Sequence, residues 1–210
     1  MFDLDGTLTR RDTLLPYLAS ALGARPRRVL RLWSAPFALA AFALDADRGR
    51  LKGRLIRAVL GGLARAEVAA LSARFLDRHW SRLFRPEALA ALERHRAAGD
   101  YLVLLSASTD CYVREIGARL GFDEVVCTEL LWRAERLDGA LASANRRGAE
   151  KTRCLLKLRA ERPGVRFAAY GNAASDLEHL ARAEAGLLVN GSGRARRAAR
   201  ALGIPTASWR

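Results

Sequence analysis

Asp3-Leu4-Asp5-Gly6-Thr7-Leu8 is the stretch on which the reading of this chain turns. It places two carboxylates at the end of what reads as a strand and follows them at once with a glycine turn. Residues i and i+2 of a strand share a face, so Asp3 and Asp5 are expected to point out of the same sheet edge. Gly6 lets the backbone turn sharply and approach a ligand closely. In open α/β sheets ligands bind just beyond the carboxyl ends of the strands. Such a pair suits one carboxylate that attacks phosphorus and a second that moves a proton. A calcium EF-hand loop begins in the same way but requires Gly at its sixth position and Glu at its twelfth. Counted from Asp3 these are Leu8 and Leu14, which excludes the calcium loop and leaves an ordinary acidic turn as the competing interpretation.

The rest of the chain supplies the sheet that such a site needs. Pro86 sits where a helix starts, Leu89 and Leu92 give it an apolar stripe, and Gly99 ends it. Tyr101-Leu102-Val103-Leu104-Leu105 is continuously apolar, as expected of a parallel strand covered on both faces, with Ser106-Ala107-Ser108 at its carboxyl end. A helix over 112–120 stops at Gly121, and 124–127 reads as a short strand. The segments 130–134 and 137–141 flank a polar tip and suit a hairpin. Helix 149–160, strand 165–170, helix 175–183, strand 186–189 and helix 194–202 complete the alternation. The pattern predicts an α/β fold with a doubly wound sheet of about five parallel strands. From Leu14 to about Phe84 the pattern is helical throughout, punctuated by Pro16, Pro26, Pro36 and Gly61-Gly62. The expected organisation is therefore a core of residues 1–12 and 86–210 with an inserted helical cap over 13–85.

Composition narrows the function classes. The 210 residues are 50% hydrophobic, ample for a real core. The formal charge of +14 arises from 36 basic against 22 acidic residues, and only Lys52, Lys151 and Lys157 among the basic ones are lysines. A positive surface concentrates anionic substrates and anionic lipid. No aromatic–basic repeat suggests a nucleic-acid groove, so nucleic acid is disfavoured as a partner. Cys111, Cys127 and Cys154 are scattered without metal spacing and point to a reduced, cytoplasmic compartment. His79, His95 and His179 lack the spacing of a helical metal pair. The beginning of the chain has neither a basic nor an apolar leader region. The most apolar stretch, 32–44, is too short to span a bilayer but long enough to lie against one.

Four predicted sheet ends carry polar residues suited to a single phosphate: Asp3 and Asp5, then Ser106, then Lys151, then Asn172 and Asp176. In this order Asp3-Leu4-Asp5-Gly6-Thr7, Leu104-Leu105-Ser106-Ala107-Ser108, Gly148-Ala149-Glu150-Lys151 and Tyr170-Gly171-Asn172-Ala173-Ala174-Ser175-Asp176 resemble the four motifs of the haloacid dehalogenase-like (HAD) superfamily of aspartate-nucleophile phosphatases. The resemblance covers nearly the whole chain. It is closest to the branch of phosphoserine phosphatase-like and phosphatidylglycerophosphatase-like enzymes, which insert a helical cap after the first motif.

The resemblance implies a role for each residue. Asp3 would attack phosphorus to form an aspartyl-phosphate. Asp5 would protonate the leaving oxygen and then take a proton from the hydrolytic water. Magnesium would be held by the Asp3 carboxylate, the Asp5 carbonyl and Asn172, with Asn172 standing where most members carry an aspartate. Ser106 and Ala107 would bind the phosphoryl group, and Lys151 would neutralise charge on it and on Asp3. Lys151 is the more telling because this chain almost always uses Arg for a cation, and a compact ammonium suits a crowded site better than a planar fork. Asp176 would orient Lys151 or a metal-bound water. Asp12 occupies the position at which phosphoserine phosphatases carry a Glu toward the substrate ammonium, and its shorter reach makes phosphoserine a less favoured substrate.

The expected activity is magnesium-dependent hydrolysis of a small phosphorylated metabolite. Two alternatives accompany it. Trp33–Leu44, flanked by arginines, suggests a phospholipid head-group phosphatase at an anionic membrane surface, although burial in the cap is slightly favoured. The missing charge at Asn172 suggests a phosphate-binding relative without turnover. Arg48, Lys52 and Arg54 are available to an anionic leaving group, with a solvated helix face as the better reading of all three.

Overall fold

The computed structural model describes residues 1–24 and 48–210. The expectations for Trp33–Leu44 and for the Arg48 side chain therefore fall outside the described residues. The described helices before the sheet are α1 (Leu14–Gly23), α2 (Arg48–Leu60), α3 (Arg65–Leu83) and α4 (Pro86–Ala97). There follow β1 (Val103–Thr109), α5 (Asp110–Arg119), β2 (Glu124–Thr128) and a hairpin of β3 (Leu130–Arg133) with β4 (Arg136–Leu141). The chain closes with α6 (Ala149–Glu161), β5 (Ala168–Gly171), α7 (Leu177–Arg182), β6 (Ala185–Val189), α8 (Gly193–Ala201) and β7 (Thr206–Ala207).

β1 pairs with β2, β5 with β6, and β6 with β7, all in parallel. The amino-terminal residues join the two halves. Phe2 forms parallel bridges to both Leu104 and Tyr170, so the order across the sheet is β2, β1, residues 1–3, β5, β6, β7. Its N–H bonds Val103 O at 2.8 Å and its carbonyl accepts from Leu105 N at 2.8 Å, while Asp3 N bonds Tyr170 O at 3.0 Å. The opening segment is thus a very short central strand, and stacking of Phe2 on Tyr170 at 4.5 Å seats it.

Alternating residues of β1, with Leu102 just before it, feed two separate cores, as a strand period of two requires. Leu102 and Leu104 pack with Phe2, Leu92 of α4 and Tyr112, Val113 and Ile116 of α5. Val103 and Leu105 pack with Leu155 and Leu158 of α6, Leu177 and Leu180 of α7 and Leu188 of β6. The sheet is therefore covered on both faces, which explains the unbroken apolar run at 101–105. The helices α1 to α3 join the first of these cores. Among them α1 lies against α2 and α3, α2 against β4, and α3 against α5.

Gly139 sets how closely α2 approaches the hairpin. It has φ +93°, and a Cβ there would stand 2.6 Å from Arg57 Cα. Three boundaries differ from the sequence expectation. The chain leaves the strand straight after Asp3: residues 4–8 form a wide turn in which Asp5 is extended (φ −73°, ψ 114°) and Gly6 has φ +81°. Asp5 thus reaches the site through a turn and does not share a strand face with Asp3. The strand expected over 165–170 begins only at Ala168, because Phe167 N is taken by Glu184 Oε2 at 2.7 Å. The helix expected from residue 175 opens with a tight turn over Ala174–Asp176 before α7.

Candidate active site

The carboxyl ends of residues 1–3, β1 and β5 meet the amino terminus of α6 at one pocket of about 400 Å³. Its lining includes Asp3, Asp5, Asp12, Ala107, Ser108, Lys151, Asn172 and Asp176. Lys151 belongs to the first turn of α6, which starts after Gly148 at φ +60°. Helical side chains lean toward the helix amino terminus, so the Lys151 stem runs back over the sheet end. Its ammonium donates to Asp3 Oδ1 at 2.7 Å and to Asp176 Oδ1 at 2.8 Å. All three side chains are almost fully buried.

The other oxygen of each carboxylate is also fixed. Asp3 Oδ2 accepts from Thr7 Oγ1 at 2.8 Å, across the turn. Asp176 Oδ2 accepts from Asn172 N at 3.1 Å and Ala173 N at 2.9 Å, which clamps the loop after β5. Gly171 is required there, since a Cβ would lie 2.7 Å from Asp176 Cβ. Burial raises the Asp3 pKa above the ordinary carboxylate range, against the pull of Lys151. Burial acts on Asp176 in the same sense, but there Lys151, His179 and the Ala173 N–H together outweigh it and hold the carboxyl low. Lys151 keeps its proton despite burial because two carboxylates face it.

Asp5 is held by three donors. Ser108 Oγ donates to Oδ2 at 2.5 Å, and Thr13 donates to Oδ1 through N at 2.8 Å and Oγ1 at 2.6 Å. Thr13 Oγ1 also meets the buried Tyr112 hydroxyl at 3.0 Å. Burial, and next the charge of Asp12, raises the Asp5 pKa despite these hydrogen bonds. A carboxyl so placed is suited to carry a proton.

The remaining expected residues are placed as follows. Ser106 is fully buried, and its Oγ accepts from Ser108 N at 3.0 Å; Ala107 and Ser108 form the pocket wall beside it. Asp12 is exposed at the pocket mouth, where Oδ1 accepts from Leu14 N at 3.0 Å. Asn172 packs on Gly6. Arg54 is exposed, as a solvated face requires. Lys52 departs from that reading: it is only partly exposed and donates to Ala107 O at 2.6 Å and Asn145 Oδ1 at 2.7 Å. Thr7, Thr13, Ser108 and Asn145 were not singled out by the sequence. Ser108 had a signal, since it follows Ser106 by two and shares its strand face.

Asp3, Asp5 and Asn172, the residues expected to hold a cation, all line this pocket and have oxygens to offer: a carboxylate, a carbonyl and an amide. Three aspartates against Lys151 leave the floor net negative. Both features fit a hard divalent cation. Among the described residues no group of three or more His, Cys, Asp or Glu side chains forms a ready metal cage. A cation here would therefore lean on carbonyl and amide oxygens.

Fold and site together are those of a doubly wound α/β hydrolase. The model of the haloacid dehalogenase-like hydrolase family matches residues 1–181, and the chain belongs to that family. It is similar to Protein CicA of Caulobacter vibrioides, 36% identical over 187 residues that cover 87% of this chain and 82% of that protein. Among solved structures it resembles a protein of unknown function from Bordetella pertussis Tohama I, with TM-score 0.82, 19% identity and coverage of 98% and 96% of the two chains. It also resembles a phosphoserine phosphatase solved as a phospho-aspartyl intermediate analogue, with TM-score 0.66, 16% identity and coverage of 99% and 90%. At these identities the two structures establish a shared fold.

Proposed function

We propose that this hydrolase is a magnesium-dependent phosphomonoesterase that acts on a small phosphorylated metabolite in the cytoplasm, with residues 13–85 as a cap over the pocket. The observation that carries the reading is the Lys151 ammonium, 2.7 Å from Asp3 and 2.8 Å from Asp176 at the sheet end. A buried cation between two carboxylates holds one of them aimed and leaves a positive charge for an incoming phosphoryl group.

In this scheme an Asp3 oxygen forms a bond to phosphorus as the bond from phosphorus to the leaving oxygen breaks. Asp5, its pKa raised by burial, gives the leaving oxygen a proton. The regenerated Asp5 carboxylate then takes a proton from the water that attacks the aspartyl-phosphate, which releases phosphate and frees Asp3. Lys151 balances charge through both displacements, and Asp176 positions it. Ser106 lies behind the wall formed by Ala107 and Ser108; its hydroxyl accepts from Ser108 N and so retains its own proton, which would be donated to a phosphoryl oxygen. Magnesium, held by Asp3, the Asp5 carbonyl and Asn172, would supply Lewis-acid charge neutralisation. Closure of the cap would exclude bulk water from the intermediate.

Phosphate release from 4-nitrophenyl phosphate, measured with and without magnesium, tests the proposal. Turnover that needs the metal and vanishes in Asp3→Asn supports it. Wild-type release no greater than that of Asp3→Asn would reassign the chain as a phosphate-binding relative without turnover.

A further inference from the structure

The wall of the pocket facing the carboxylate floor has a chemistry of its own. It is formed by Leu51, Lys52 and Leu55 of α2, Leu14 and Leu15 of α1, and Asn145 and Arg147 of the loop before α6. Lys52 Nζ is the centre of this wall. Its two acceptors, Ala107 O and Asn145 Oδ1, are neutral, and among the described residues no carboxylate is ion-paired with it. An ammonium has three donors, so one N–H remains. Asn145 Oδ1 is occupied by Lys52 and by Thr128 Oγ1 at 3.4 Å, which leaves the amide NH2 as a second donor. Arg147, exposed at the mouth, adds a second positive charge.

Burying a cation against neutral acceptors alone is unfavourable, and a serine or glutamine would tie α2 to the loop at less cost. A lysine here is economical when an anion completes its coordination. The rarity of lysine in this chain, which marked Lys151, marks Lys52 equally. Lys52 also lies within electrostatic reach of Asp5 and Asp12, at the leaving-group end of the pocket.

We infer that Lys52, Asn145 and Arg147 form a second anion subsite that selects phosphomonoesters whose leaving group carries an anionic group of its own, a carboxylate being the simplest. The inference rests on the phosphomonoesterase reading and names its substrate class. The four leucines meet the carbon atoms between the two anionic ends.

The test compares kcat/KM for D-3-phosphoglycerate and sn-glycerol 1-phosphate, which share the C2 configuration and differ only in a carboxylate or a hydroxymethyl group at one end. The wild-type protein should favour the carboxylate by about tenfold or more, the worth of one charge-assisted hydrogen bond. Lys52→Met keeps the apolar stem and should erase most of that preference, chiefly through KM, and Lys52→Arg should restore part of it. A purely structural tie would lower both substrates together and leave their ratio unchanged, which would overturn the inference, as would a wild-type protein indifferent to the carboxylate. If no substrate is turned over, it is the phosphomonoesterase reading that fails. The subsite is then judged by calorimetric titration of Asp3→Asn with 3-phosphoglycerate: weaker binding in Asp3→Asn/Lys52→Met sustains it, and equal binding sinks it.

Discussion

A Cβ on residue 6 would stand 2.0 Å from Asn172 Nδ2, so the Asn172 amide fills the space that a side chain at residue 6 would need at the pocket floor. The positive φ of Gly6 adds a second reason for glycine. Gly6→Ala should therefore displace Asp5 and Asn172 together. Backbone strain of this kind costs about 1–3 kcal/mol, whereas a misplacement near 1 Å of reacting groups costs roughly 100-fold in rate. Urea unfolding should show a modest loss of stability, and kcat on 4-nitrophenyl phosphate should fall by about that factor. Near-wild-type turnover would mean that the turn tolerates rearrangement.

Lys151→Met leaves Asp3 and Asp176 buried and facing one another with no cation between them. Removing one partner of a buried ion pair typically costs about 3–5 kcal/mol. The variant should lose turnover and unfold at clearly lower urea concentration than the wild type. Lys151→Arg is expected to fail as well, because a planar fork cannot take the place of a compact ammonium 2.7 Å and 2.8 Å from two carboxylates. Retained turnover in Lys151→Arg would show that charge alone suffices.

What the sequence made legible follows from range. The apolar run at 101–105, the hairpin at 130–141 and the helix ends marked by Gly99 and Gly121 are local patterns, and they appear within a few residues of their expected places. Asp3, Lys151 and Asp176 could be grouped because each lies at a recognisable strand end or helix start. The turn at 4–8 was not legible, since its shape depends on Asn172 and Thr13 from elsewhere in the chain. Nor was the onset of β5, where a side chain of Glu184 replaces a ladder partner. Lys52 lies on an amphipathic helix whose periodicity alone argues for solvent, and only its tertiary contacts with Ala107 and Asn145 bring it to the pocket. The two-residue strand β7 is too short to carry any period.

Asn172 supplies an amide oxygen where an aspartate would supply a charge. Affinity for a hard dication rises with the number of charged ligands. Asn172→Asp should lower the magnesium concentration for half-maximal turnover by about tenfold, and calorimetric titration of magnesium should tighten in parallel. Chelation with EDTA should abolish turnover in both proteins. An unchanged half-saturation would place residue 172 outside the metal's coordination.

Burial lowers the Lys52 pKa to about 8, while Asp5 and Asp12 oppose that shift and Arg147 reinforces it. Its direct partners, Ala107 O and Asn145, are neutral, so no other titration lies in contact with it. The ammonium is therefore charged below about pH 8 and neutral above it. Free-enzyme ionisations appear in kcat/KM. The preference for D-3-phosphoglycerate over sn-glycerol 1-phosphate should accordingly be full near pH 7 and fade between about pH 7.5 and 9. Both substrates carry the same phosphate dianion across this window, so its ionisation cancels in the ratio. In Lys52→Met the ratio should be flat with pH. A wild-type ratio equally flat from pH 7 to 9 would remove Lys52 from recognition of the second anion.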